Sequence, residues 1–324
     1  MADLTTKYMG LELKSPVIVG SGPLTIKVSD MIKLEENGAG AVVLKSIFEE
    51  QIDKETDKGF EEFDEYLTHT ESHEYFQSLT KDYHIEKYLD MLSDAKKNLS
   101  IPIIASINCR KMSSWIEYAD KFIQAGADGI ELNYFPITSD WRVTGEEMDK
   151  RILSFAREAR RKISCPLSMK IGSRYSSLSN VIHMLDEIGI DALVLFNRPF
   201  RPDVDLKNLT TSVGSVISGP DEYAEALRWT ALMSGEVEMD IAGNTGIHDG
   251  KTAVKLILAG ASAVEVLSVV MRDGAGAIKK INDEISTFMD EKKFSSISEF
   301  KGMLAQEENG GDAWERVQFL RTIG

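Results

Sequence analysis

Cysteine is almost absent from this chain. Cys109 and Cys165 are the only two in 324 residues, too few for an iron–sulfur cluster or a four-cysteine zinc site. Both stand beside apolar, strand-like runs, where reduced thiols are usually inert. Redox chemistry would therefore need an organic cofactor, and no metal site is expected. Positive charge is also short. The 37 Lys and Arg against 52 Asp and Glu leave a net charge of −15, which repels nucleic-acid backbones and anionic lipids. No apolar run approaches the roughly 20 residues that cross a bilayer. Residues 1–16 lack the basic start, apolar core and cleavage site of a signal peptide, so a cytoplasmic location is expected. Missing too is a GxGxxG after the first strand-like run, which argues against a doubly wound dinucleotide-binding sheet.

What is present is a repeated unit. Short β-branched runs alternate with longer segments of helical period: PVIVG (16–20), AVVLK (41–45), IPIIASI (101–107), GIELN (129–133), PLSMKI (166–171), ALVLF (192–196), VEMDIAG (237–243) and SAVEVL (262–267). The helical segments expected between and after them are Val28–Gly38, with Ser29 as cap, a helix around His84–Lys97, Ser113–Ala125, Gly145–Lys162, Ser177–Ile188, Pro220–Ser234, Asp249–Ala259 and Ala275–Met289. Continuously apolar strands indicate a parallel sheet covered on both faces. Eight such units close naturally into an α/β fold of the (β/α)8 TIM-barrel type, here one domain over 1–324. Two excursions, Ser46–Asp82 after strand 2 and Arg198–Gly219 after strand 6, are long enough to be lids or subunit contacts. The tail Phe294–Gly324 lies beyond the eighth unit and is expected to pack outside.

Barrel enzymes carry their chemistry at the C-terminal ends of the strands. In order, those ends are Gly20-Ser21-Gly22, Lys45-Ser46, Ser106-Ile107-Asn108, Asn133, Lys170, Asn197-Arg198, Gly243-Asn244-Thr245-Gly246 and Leu267-Ser268. All are small or polar, and a purely structural barrel has no use for two lysines and several amides on one rim. Around Gly243, Gly246 and Ser268, glycines and a helix start suit a phosphate. Lys45 and Lys170 with Asn108, Asn133 and Asn197 suit the polar edge of a flavin ring. FMN meets these demands with one phosphate and a redox role that needs no cysteine.

With these residues in view, the chain resembles the class 1 dihydroorotate dehydrogenase family along most of its length. The resemblance is carried by SPVIVGSGPLT, AGAVVLKS, GADGIELN, SMKI, ISGP, AGNTGIHDGKTAVKLILAGASAVEVLS and KKFSSISEFKGML. It implies an FMN-bearing barrel that turns dihydroorotate into orotate in pyrimidine biosynthesis, is cytoplasmic and forms a homodimer. The flavin contacts it implies are Ser21, Gly22, Lys45, Ser46 and Asn133. Lys170, Gly219, Gly243, Gly246 and Ser268 complete that set.

The substrate half departs from the family pattern. Where a catalytic cysteine is expected shortly after the asparagine, the chain reads ELNYFPITSD, with Phe135 and Pro136 at that place. Asp140 and Tyr134 are the leading candidates for a base, with Thr138 and Ser139 on the same loop. His69, His73 and His84 are placed to close over the site. Lys45, Asn133, Asn197 and Arg198 are the expected substrate-binding residues, with Arg201 and Arg228 as helpers. Arg198 either grips an anion bidentately or pairs with Asp203 or Asp205 and pins its loop. Two rival readings remain: a Schiff-base aldolase or lyase with Lys170 as nucleophile, and a non-catalytic flavin-binding barrel. The altered site leaves room for a substrate other than dihydroorotate.

Overall fold

The computed structural model describes residues 2–48, 85–108, 118–199, 201–306 and 314. His69, His73, His84 and Cys109 lie outside the described residues, as do most of the excursion after strand 2 and most of the tail beyond 306.

Eight parallel strands form a closed ring: β1 (Val17–Val19), β2 (Ala41–Val43), β3 (Ile103–Asn108), β4 (Gly129–Tyr134), β5 (Leu167–Ile171), β6 (Ala192–Leu195), β7 (Asp240–Asn244) and β8 (Ala263–Val266). Neighbours follow chain order, with Ile18 opposite Ala41 and Val42 opposite Ile103. Val264 opposite Val17 joins β8 to β1 and closes the circle. This is the (β/α)8 barrel expected from the unit count. The second strand is shorter than its apolar run. It breaks after Val43, and a two-residue segment, Ile47–Phe48, resumes pairing with the end of β3.

Around the ring lie α1 (Val28–Glu36), α2 (85–98), α3 (Ala119–Gln124), α4 (Gly145–Lys162), α5 (Leu178–Ile188), α6 (Tyr223–Met233), α7 (Gly250–Leu258), α8 (Ser268–Asp273) and α9 (Gly276–Lys292). Helix α4 starts where its capping box dictates: Thr144 Oγ1 accepts from Glu147 N at 3.2 Å, and Glu147 Oε2 accepts from Thr144 N at 2.9 Å. Helix α5 stops at Gly189, which takes the left-handed conformation at φ 87°. Ser29, expected as a cap, instead sits inside α1, whose N-cap is Lys27. The eighth helix is split, because Gly274 interrupts it between α8 and α9. The excursion after β6 carries an antiparallel hairpin, Pro202–Asp205 with Thr210–Val213. The start of the tail packs outside as expected: Phe294 stacks on Phe300 at 5.3 Å, and Gly302 N bonds Ile257 O of α7.

Strand alternation sorts every side chain on the ring. One set, including Val19, Leu132, Met169, Leu193 and Leu195, faces the helices in the larger core. The opposite set, including Ile18, Val43, Ile104, Val194 and Ala242, fills the barrel interior. A hairpin of Thr6–Tyr8 and Leu11–Leu13 plugs the barrel from below, burying Tyr8 and Met9 in that interior cluster. Ascending the inward face, the apolar layer gives way to Ser106, Glu131, Ser168, Lys170 and Glu265, all buried.

Candidate active site

At the C-terminal mouth of the barrel, Ser21, Lys45, Ser46, Asn133, Lys170, Asn197, Arg198, Gly246 and Ser268 line one cavity of about 210 Å³. They come from seven of the eight strand ends, and the inward face of the ring brings them together.

Lys170 forms the cavity floor. Its Nζ lies 2.5 Å from Glu265 Oε1, and Glu131 stands beside the pair. Burial alone would pull the lysine's pKa down. Attraction to Glu265 and then Glu131 outweighs it, and the net shift is upward. This ammonium is therefore held charged, which opposes the Schiff-base reading: a nucleophilic lysine needs its free amine. Lys45 is half-buried, and desolvation lowers its pKa. Asn197 Nδ2 donates to Asn133 Oδ1, joining the two amides into one polar wall. Ser46 Oγ lies 2.9 Å from Ser21 Oγ and 2.8 Å from Ser106 Oγ, a row of hydroxyls beside Lys45.

The opposite end has different chemistry. Thr245 and Gly246 both have φ 75°, turning the backbone so that Gly246 N donates to Ser218 Oγ at 3.3 Å. Ser218 N donates to Ser268 Oγ at 3.0 Å. His248 Nε2 lies 3.3 Å from Ser218 Oγ, while its Nδ1 is buried with no partner. Hydroxyls, a glycine N–H and an orphaned imidazole nitrogen suit an anion. The cation and the amides line the same cavity.

Several expected residues are placed elsewhere. Gly243 falls on the outward phase of β7, where a Cβ would meet Leu256 of α7 at 2.8 Å; it serves helix packing. Gly22 abuts Leu267 and lines neither of the two cavities at the mouth. Gly219 donates its N–H to Glu222 Oε1 at 2.6 Å, so it helps start α6. Tyr134, next to inward-facing Asn133, necessarily points outward. It stacks on Phe155 at 4.5 Å, and desolvation raises its pKa, so it is no base for the cavity. Asp140 is exposed and pairs with Arg142 at 2.8 Å; that hydrogen bond holds its carboxyl below the usual range. Asn108 and Arg228 line neither cavity described here.

Arg198 pins its loop. Its guanidinium bonds Glu222 Oε2 at 3.0 Å and the carbonyls of Ser215, Val216 and Ile217. Arg201 reaches the same carboxylate at 2.6 Å. Asp203 and Asp205 are not its partners; Asp205 caps its own hairpin turn through Lys207 N and Asn208 N. Beyond this loop lies a second cavity of about 1020 Å³, lined by Phe135, Tyr175, Phe196 and Arg174 among others. It shares Asn197, Arg198, Asn244 and Thr245 with the first.

Reading strand ends missed Glu131 and Glu265, each one turn of the pleat below the rim. Their signal was the period of two: Glu131 stands two residues before Asn133, and shares its face.

The sequence profile of the family described as dihydroorotate dehydrogenase matches residues 3–289. The chain belongs to the dihydroorotate dehydrogenase family. It is 28% identical to the dihydroorotate dehydrogenase B (NAD+) catalytic subunit of Thermoplasma acidophilum over 313 residues, covering 94% of this chain and 99% of that protein. The Thermoplasma volcanium counterpart is also 28% identical, over 94% and 99% of the two chains. That of Methanothermobacter thermautotrophicus is 26% identical over 93% and 98%. Membership makes this barrel a flavin-using dehydrogenase of the CH–CH class.

Proposed function

We propose that the chain is an FMN-dependent dehydrogenase that oxidises dihydroorotate or a close dihydropyrimidine relative. One observation carries the reading: a held ammonium, Lys170, and a paired amide wall, Asn133 with Asn197, face the same cavity as the hydroxyl and N–H cradle of Ser218, Gly246 and Ser268. His248 Nε2, 3.3 Å from Ser218 Oγ, holds one hydroxyl of that cradle in place. FMN, when bound, supplies the two-electron acceptor for the substrate's C–H bond. Lys170 offsets negative charge at the ring's polar edge. Asn133 and Asn197 present amide groups that match the N–H and C=O pattern of a dihydropyrimidine. Lys45, at the broken end of β2, adds a cation for a substrate carboxylate. The loop held by Arg198 and Glu222 walls the mouth against water.

A homodimer is supported by exposed apolar side chains on the β6 excursion and the loop after β4: Leu206, Leu209 and Trp141 are 83, 84 and 90% exposed. The relatives' names support NAD+ as the final electron acceptor. The deciding experiment is anaerobic titration of FMN-loaded protein with dihydroorotate. Loss of the visible flavin absorbance supports the reading. A protein that takes up no FMN, or whose bound flavin stays oxidised, refutes it.

A further inference from the structure

Three ionisable side chains meet inside the barrel below the mouth, one each from β4, β5 and β8. Lys170 Nζ touches Glu265 Oε1, and both carboxylic residues are at most 2% exposed. Glu131 stands close enough to Glu265 for the two carboxyl groups to repel one another, and Glu131 Oε1 is buried and receives no bond from any donor. One buried ammonium cannot offset two buried carboxylates, and a proton held between the two carboxyl groups removes the excess charge. Gly20, at the end of β1, makes room for the arrangement: a Cβ there would sit 2.2 Å from Glu265 Oε1.

We propose that Glu131 and Glu265 share one proton beneath Lys170, forming a positioning device that fixes the Lys170 ammonium at the cavity floor and sets the charge felt by the cofactor. The cofactor half of this statement rests on the FMN reading; the shared proton does not.

With the proton in place, the three groups sum to zero charge. Without it they sum to −1, directly under the site where electrons arrive, and bound FMN becomes harder to reduce. The surroundings favour retention. Burial first, then repulsion from Glu265, push Glu131 up to about 8, with Lys170 acting in the opposite direction. The other titratable groups nearby are Tyr8 from the plug, Tyr88 from α2 and Asp240 from β7. Both tyrosines are buried and shifted upward by desolvation, so they stay neutral across the relevant range. Asp240 is engaged by Met9 N at 2.9 Å, and Lys301 lies 3.6 Å away.

An acid whose folded pKa exceeds its unfolded value contributes stability that is fully present below the unfolded value. That stability is lost as pH rises through the folded value. Urea unfolding of FMN-free protein should therefore show the unfolding constant rising between about pH 5 and pH 8, by up to about tenfold per pH unit. Glu131→Gln should remove that rise relative to wild type, and Glu265→Gln should do the same by taking away the proton's second owner. In wild type, a protonated-carboxyl infrared band present at about pH 6 should vanish by about pH 9; this arm needs no variant to fold. With FMN bound, the midpoint potential of wild type should drop more steeply with pH above about 7 than that of Glu131→Gln. Parallel unfolding profiles for wild type and both variants, or no such band, would overturn the shared proton. A shared proton with identical potentials would overturn the tuning alone. Failure to bind FMN would count against the proposed function while leaving the unfolding and infrared arms intact.

Discussion

Replacing Gly246 by alanine asks whether the turn after β7 is built for close approach. Gly246 has φ +75°, and an added Cβ would lie 2.3 Å from Tyr223 N and 2.8 Å from Glu222 C. Those atoms are backbone at the start of α6, so no side chain can swing aside. The left-handed conformation costs alanine about 1 kcal/mol, and overpacking of this kind adds about 1–3 kcal/mol. Gly10 is the control. It has φ +77° in the turn of the plug hairpin, but nothing lies within 4 Å of its virtual Cβ, so Gly10→Ala feels the backbone strain alone. Thermal unfolding should drop by about 3–6 °C for Gly246→Ala and by about 1–2 °C for Gly10→Ala. If the Gly246 N–H turns from Ser218 Oγ to a bound phosphate, as the proposed function has it, displacing it removes a charge-assisted hydrogen bond worth about 1.5–3 kcal/mol. Fluorescence titration should then show FMN affinity falling about 10- to 100-fold for Gly246→Ala and unchanged for Gly10→Ala. Equal melting shifts with equal FMN affinities would refute the assignment of this turn.

Three further outcomes follow from the same geometry. Lys170→Met leaves two buried carboxyls without their cation and should destabilise the fold by about 3–5 kcal/mol near neutral pH. Because burial and the neighbouring carboxyl raise the pKa of Glu131, it can take up a proton in acid, and the loss measured by urea unfolding should shrink toward about pH 5. Glu222→Ala removes the shared partner of Arg198 and Arg201 and the acceptor for Gly219 N; hydrogen exchange at residues 215–219 should rise at least about tenfold. Asp140→Asn breaks only an exposed pair with Arg142, so steady-state turnover should be unchanged, and a loss beyond tenfold would reinstate Asp140 as the base.

Much of the site was legible along the chain because a barrel places its strand ends on one rim. Lys45, Asn133, Lys170, Gly246 and Ser268 were each readable from the residue at which an apolar run stops. Position in the pleat was the harder part. Tyr134 and Gly243 belong to strand ends, but alternation turns both toward the helices, against Phe155 and Leu256. The same alternation hides Glu131 and Glu265 within runs that look simply apolar with one interruption. Arg198 was rightly suspected of pinning its loop, yet its partner is Glu222, 24 residues away, rather than an aspartate of the nearby hairpin. Local distance along the chain is a poor guide once the 22-residue excursion Arg198–Gly219 folds back.

The order of strands and helices and the gathering of polar residues on one rim were determined by the sequence by itself, since both follow from local periodicity and from where polar residues interrupt it. Tertiary structure alone decided charge partnership. Lys170 and Glu265 are 95 residues apart and meet only because the ring closes, and a buried charge acquires its protonation state from whatever neighbour closure brings within a few ångströms.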